Sequence, residues 1–225
     1  MTADPATNSQ GPQGPSRRST LTPDYQRDWE EYYAAVEGKP PRDTLKRAIA
    51  AFAKEDAPIA PGIAIDIACG SGRDSVELLR HGWRVVATDY HPAAKAFVTA
   101  AAGSDAFRFV QAEMESLPAS PQMPRSADLI NASFALPFCK PAAFPALWSW
   151  IVTTLRPGGR FAGQLFGDRD EWRPVRPESH FTRDQVVDLL KPFSIEHLDE
   201  VEKEGDDATG KPKYHHVFHI VARKT

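Results

Sequence analysis

The spacing of apolar positions organises the chain from about residue 24 onward. Tyr25, Trp29, Tyr32, Tyr33 and Val36 fall at i, i+4, i+7, i+8 and i+11, one stripe of an amphipathic helix. Gly38 and the pair Pro40-Pro41 close it. A second helix is predicted from Asp43, with Leu45, Ile49 and Phe52 on one face. Short apolar runs then alternate with helical stretches. Ile63 to Ile67 reads as a strand, Arg73 to His81 as a helix closed by Gly82, and Arg84 to Thr88 as a second strand. An Ala-rich helix opened by Pro92 and stopped near Gly103 follows, then strands at Phe107 to Gln111 and Ala127 to Ala132. A helix over Ala143 to Leu155 ends at Arg156-Pro157-Gly158-Gly159, and Arg160 to Phe166 is a fifth strand. Thr182 and Gln185 form a capping box for a helix reaching Leu190. Two further strands are predicted near Phe193 to Leu198 and Tyr214 to Ala222. The acidic run Asp199 to Asp207 between them is expected as a solvated, mobile loop.

Strand–helix alternation implies a mostly parallel sheet covered on both faces. The last two strands have no helix between them and are therefore expected as an antiparallel pair. The predicted fold is α/β: a doubly wound, seven-stranded, mostly parallel sheet with a reversed last strand and N-terminal helices. Residues 1–20 hold Pro, Gly, Ser and Gln with almost no apolar side chains, so they cannot offset their ordering entropy and are expected as a disordered tail. Residues 21–225 are expected as a single domain.

Composition narrows the functional classes. The 225 residues are 41% hydrophobic and 25% charged, with net charge −3, which argues against a dedicated nucleic-acid binder. Cys69 and Cys139 are the two cysteines, too few for a disulfide framework or a zinc finger. No metal is expected, because no acidic or His/Cys spacing matches a ligand set. No apolar run is long enough to span a membrane, and the N-terminus lacks a signal-peptide core. A cytoplasmic protein is expected, and no oligomeric state can be read.

The informative segment is Ala64-Ile65-Asp66-Ile67-Ala68-Cys69-Gly70-Ser71-Gly72-Arg73-Asp74-Ser75. Gly70 and Gly72 sit where a strand turns sharply into a helix, a place that needs positive φ or close backbone approach to a ligand. Asp89 ends the second strand, where an ionised carboxylate can accept two hydrogen bonds, matching a ribose diol. The competing reading is a turn cap. A dinucleotide fingerprint wants Gly or Ala three places after the second glycine; Ser75 stands there instead, with Arg73 and Asp74 in the loop. Asp66, inside the first strand, would repel a pyrophosphate but suit an ammonium. S-adenosylmethionine (SAM) carries that ammonium and no phosphate.

The runs AIDIACGSGRDS, VVATDYHP, FRFVQAEMESLP and LRPGGRFAG, in that order, resemble the motif set of class I SAM-dependent methyltransferases, which are Rossmann-like. That resemblance implies Asp66 near the methionine amino group, backbone contacts from Ala68, Gly70 and Gly72, and Asp89 on the ribose with Tyr90 beside it. Glu113 and Met114 would meet the adenine, although the family more often has Asp at the first of these; a solvated loop acid is the other reading of Glu113. Ala132 would border the cofactor. The aromatic N-terminal helix, the CGSGRDS loop and the ending KPKYHHVFHIVARK are similar to the tellurite-resistance and thiopurine methyltransferase group.

Methyl transfer from a sulfonium needs alignment and exclusion of water more than a catalytic triad. Tyr25, Trp29 and Tyr33 are candidates to cover the cofactor and line an acceptor pocket, or simply to glue the first helix to the sheet. Phe134 and Phe138 follow the fourth strand and are read as an apolar wall. Arg42 is a candidate for the cofactor carboxylate or an anionic acceptor, the other reading being a solvated arginine. For a general base, His216 and His180 are candidates, with His215 also at the rim and His219 further along its strand; a structural or surface role is the other reading of each. The expected activity is methyl transfer from SAM to a small-molecule S, O or N nucleophile. The alternatives left open are a non-catalytic SAM-binding sensor and an NAD-dependent oxidoreductase.

Overall fold

A computed structural model describes residues 28–55, 62–94, 105–174 and 179–225. The expected tail, Tyr25 and most of the Ala-rich helix after Pro92 lie outside these residues. Helix α1 (Trp29–Val36) opens on Asp28, whose carboxylate accepts the Glu31 N–H at 3.0 Å. Helix α2 (Asp43–Phe52) buries Leu45, Ala48, Ile49 and Phe52, the face predicted from their spacing.

The strands are β1 (Ile63–Ile67), β2 (Arg84–Asp89), β3 (Phe107–Gln111), β4 (Ala127–Ala132), β5 (Leu155–Gly167), β6 (His180–Phe181), β7 (Phe193–Asp206) and β8 (Pro212–Lys224). The remaining described helices are α3 (Arg73–Arg80), α4 (Phe144–Thr154) and α5 (Arg183–Leu189). The sheet order is β3-β2-β1-β4-β5-β8-β7, with the two-residue β6 added beside β5. Strands β1 to β5 run parallel, and β8 is reversed against both β5 and β7. Among the described residues there are eight strands because β6 joins the seven expected. The capping box at Thr182 and Gln185 forms, with both reciprocal bonds made.

Each face of the sheet has its own core. Helices α2 and α3 pack Leu45, Ile49, Phe52 and Leu78 on Val85, Leu129 and Val221. Helix α4 packs Phe144, Leu147, Trp148 and Ile151 on the opposite face, against Ile130, Phe161 and Ile220. Full burial of each such side chain stabilises by about 1.5–3 kcal/mol. No described helix is long and apolar enough to cross a membrane.

The region expected as a mobile acidic loop is a strand. Asp199 to Asp206 continue β7 and pair residue for residue with β8, from Asp199 opposite His219 to Asp206 opposite Pro212. Charge did not force this segment out of the sheet because its acids find cations. Arg169 meets Glu200 at 3.1 Å and Glu202 at 2.6 Å, and Arg183 meets Glu200 at 2.7 Å. Val201 and Lys203, the alternate positions, line a cavity instead. Similarly, Arg156-Pro157-Gly158-Gly159 does not separate helix from strand. It lies inside β5, where the pairing with β4 shifts register.

Candidate active site

The chain leaves β1 for β2 on one side and β4 on the other, so a crevice opens at the carboxyl ends of β1 and β4. There the backbone takes left-handed geometry three times: Ala68 at φ 51°, Gly70 at 54° and Gly72 at 77°. A Cβ on Gly70 would stand 3.2 Å from the Tyr33 ring, so the bend is bare by requirement.

Two buried carboxylates flank it. Asp89, at the end of β2, accepts the Gly70 N–H at 2.9 Å, the His91 N–H at 2.9 Å and the Tyr33 hydroxyl at 3.2 Å. Burial raises its pKa, and these hydrogen bonds work against that shift. Asp66 accepts Ser75 Oγ at 2.6 Å and Asn131 Nδ2 at 2.8 Å. Burial, followed by the nearby Asp74 charge, pushes Asp66 up to about 7. Asn131 also donates to Asp74 at 3.1 Å, while Asp74 accepts the Arg42 backbone N–H at 3.0 Å. Asp74 and Asn131 thus join β1, α3, β4 and the entry to α2. The sequence reading treated Asp74 only as a loop charge.

Aromatic rings cover this region. Trp29 makes edge contacts with Tyr90 at 6.2 Å and Phe138 at 5.3 Å, spanning from the end of β2 to the loop after β4. Tyr33 is buried beneath it. Tyr90 is largely exposed, Glu113 is exposed at the end of β3, Met114 is half-buried against the core, and Ala132 is buried at the end of β4.

Beyond the loop after β4 lies a cavity of about 450 Å³, within the range of small-molecule sites. Phe134, Phe138, Phe166 and Trp172 form its aromatic walls. Phe134 has φ 53° and is held there: its N–H donates to Gln164 Oε1 at 2.8 Å, and Gln164 Nε2 donates to Thr44 Oγ1 at 2.9 Å. Gln164 was not foreseen, although a lone amide inside the apolar run Phe161 to Phe166 is the signal for it. Asp170 and Lys213 form a buried ion pair at 2.5 Å behind Trp172, with the ammonium 4.4 Å from that ring's centroid.

The histidine assignments need correction. His216 is fully buried and faces away from the cavity. Its Nδ1 accepts the Arg169 N–H at 3.1 Å, and its Nε2 lies 2.9 Å from Glu200. A Cβ on Gly167 would sit 2.0 Å from this ring, so glycine makes room for it. Both ring nitrogens have partners within the chain. His180 stands in β6 against Phe166, with ring centroids 5.8 Å apart, and does not line the cavity. His215 and His219 do line it, as Lys213 and Val217 do. Strand alternation decides this: odd-numbered residues of β8 face the cavity and even-numbered ones the opposite core. Burial holds both His215 and His219 below the ordinary imidazole value.

The donor set fits SAM: a bare bend, one carboxylate able to take hydroxyls and a second able to take an ammonium. Residues 64–159 match a family model described as a methyltransferase domain. No curated protein is significantly similar in sequence. Among solved structures the chain is similar to TehB from Haemophilus influenzae, with TM-score 0.69 and 17% identity over 88% of this chain and 67% of that one. It is similar also to the 1,6-didemethyltoxoflavin-N1-methyltransferase of Burkholderia thailandensis, solved with 1,6-didemethyltoxoflavin and S-adenosylhomocysteine bound. There the TM-score is 0.59, with 21% identity over 87% of this chain and 84% of that one. A SAM-dependent methyltransferase from Methanosarcina mazei gives TM-score 0.55 and 23% identity, over 73% of this chain and 93% of that one. Residues 64–159 thus carry a methyltransferase domain, and the chain shares the fold of these methyltransferase structures.

Proposed function

We propose that this enzyme transfers the methyl group of SAM to a small molecule lodged in the cavity beside Phe134. One observation carries the reading: an aromatic cavity is lined by Phe134 and Phe138 of the loop after β4, the strand beside β1, whose carboxyl end forms the bend that would receive the nucleoside. When bound, SAM supplies an already activated methyl group on its sulfonium. The chain then has to bind, orient and exclude water.

Asp89 would take the ribose hydroxyls, with the Gly70 N–H fixing the orientation of its carboxylate. Asp66 would face the methionine ammonium across the backbone of Ala68, Gly70 and Gly72. Tyr90, Glu113 and Met114 would flank the adenine, and Ala132 the far side of the cofactor. Trp29 and Tyr33 would close the site from above, as their ring contacts suggest. Phe134 and Phe138 would press the acceptor toward the methyl group. His219, in place of His216, is the side chain we assign to take a proton from the acceptor; its ring lies 6.1 Å from that of Phe134. The likeness to TehB and the Burkholderia enzyme supports a small acceptor.

Calorimetric titration tests the cofactor half. SAM and S-adenosylhomocysteine should bind and NAD should not, while Asp89→Ala should weaken both ligands about 100-fold through loss of two charge-assisted hydrogen bonds. Unchanged binding to the variant, or NAD binding as tight as SAM, would remove this reading.

A further inference from the structure

Arg42 stands at the junction of the two spaces. Its guanidinium lies over the face of Phe134, 4.4 Å from the ring centroid. Such stacking leaves the N–H edges of the planar group available for ligands. One edge reaches the Tyr32 hydroxyl. The Nε is buried and meets no hydrogen-bond partner among the described residues. The Asp74 carboxylate attracts the guanidinium electrostatically but accepts the Arg42 backbone N–H, and no carboxylate of those residues makes a direct ion pair with the side chain. Burying a guanidinium whose only nearby carboxylate is not directly bonded to it is costly, and an anion that bonds the free edge offsets that cost.

The other charges around the cavity point the same way. Lys39 and Lys203 are exposed at its rim. The acids there are turned to other tasks. Asp43 pairs with Lys46 at 2.6 Å. Asp207 accepts the backbone N–H groups of Thr209 and Lys211, closing its own turn. Asp206 lies at the hairpin end, opposite Pro212. What faces inward is flat aromatic surface plus one under-compensated cation.

We infer that the acceptor is a planar aromatic anion, its ring held among Phe134, Phe138, Phe166 and Trp172 and its carboxylate or equivalent oxyanion on Arg42. This rests on the proposed methyl transfer, because the cavity is an acceptor site only if the cofactor lies across the β4 loop. The cavity-lining His219 would then face the acceptor group that loses its proton.

Benzoate and its neutral isostere benzamide are the probes, titrated into protein saturated with S-adenosylhomocysteine. Benzoate should bind at least about tenfold more tightly, the scale of one charge-assisted contact. Arg42→Gln should erase most of that preference and leave S-adenosylhomocysteine affinity unchanged. Lys39→Gln combined with Lys203→Gln, both on the exposed rim, should reduce the preference modestly; this pair serves if the Arg42 variant fails to fold. Equal binding of the two probes, or no binding of either, overturns the inference. So does an Arg42 variant that loses S-adenosylhomocysteine as much as benzoate, which would assign the guanidinium to the cofactor's own carboxylate. If S-adenosylhomocysteine does not bind the unaltered protein, the cofactor reading has failed. The same probe pair on the unloaded protein then decides whether the cavity prefers anions.

Discussion

On the parallel side of the sheet, β1 to β4 are strands of five or six residues that end together at a bend made of backbone. On the antiparallel side, β7 and β8 run 14 and 13 residues and carry their side chains well past that edge. The first region presents dihedral angles and two buried carboxylates. The second presents rings, imidazoles and ammonium groups at alternate positions. A site made of backbone is specified by φ values and tolerates little change of ligand. A site made of alternating side chains can be altered one residue at a time without disturbing its neighbour. Cofactor and acceptor should therefore respond to different substitutions.

The largest separation is expected at His219. His219→Asn should lower kcat/KM for methyl transfer about 100-fold while leaving SAM affinity unchanged. Burial keeps this imidazole below its ordinary value of 6.5. The charged groups facing it are Asp199, His197 and Lys203 from β7, and Arg42 and Asp43 at the start of α2. It is therefore neutral and able to accept a proton at pH 7 and above. The rate should stay flat down to about pH 6.5 and fall only below it. A limb above pH 7, or a variant with full activity, would detach His219 from the chemistry.

A smaller effect belongs to the parallel side. Asp66 is raised to about 7, and only its ionised form attracts an ammonium. SAM affinity should accordingly weaken as pH falls through that value, by up to about tenfold per pH unit below it. Asp66→Asn should bind more weakly and show a flat profile. A pH-independent wild-type affinity between pH 5 and 8 would mean that Asp66 does not meet the cation.

The smallest kinetic effect is expected at His216. His216→Gln loses the Glu200 contact and disturbs the Arg169 N–H, costing about 1–3 kcal/mol and lowering Tm. Per folded molecule, kcat/KM should match the wild type. An inactive variant with unchanged Tm would return His216 to catalysis.

The contrast also explains what could be read from the chain alone. The parallel half was legible because its glycines and acids are adjacent in sequence and their spacing is dictated by a strand turning into a helix. The structure places Gly70 against Asp89 and Asp66 within reach of the Asp89 charge. The antiparallel half was less so. The acids of β7 read as solvent-seeking because Arg169 and Arg183, their partners, lie in other elements. The choice among His215, His216 and His219 turned on strand phase, which the apolar alternation of Phe218, Ile220 and Ala222 already contained. Gln164 and Thr44 meet 120 positions apart, a pairing that no local pattern announces.

Tyr33 already gives Asp89 one hydroxyl from within the chain. On the proposed reading, an incoming sugar exchanges one alcohol for another rather than relieving a naked charge. A ligand with a single hydroxyl gains little by the swap; a vicinal diol gains a second bond. The phenol thus acts as an internal competitor, setting a threshold that favours intact ribonucleosides over their deoxy counterparts.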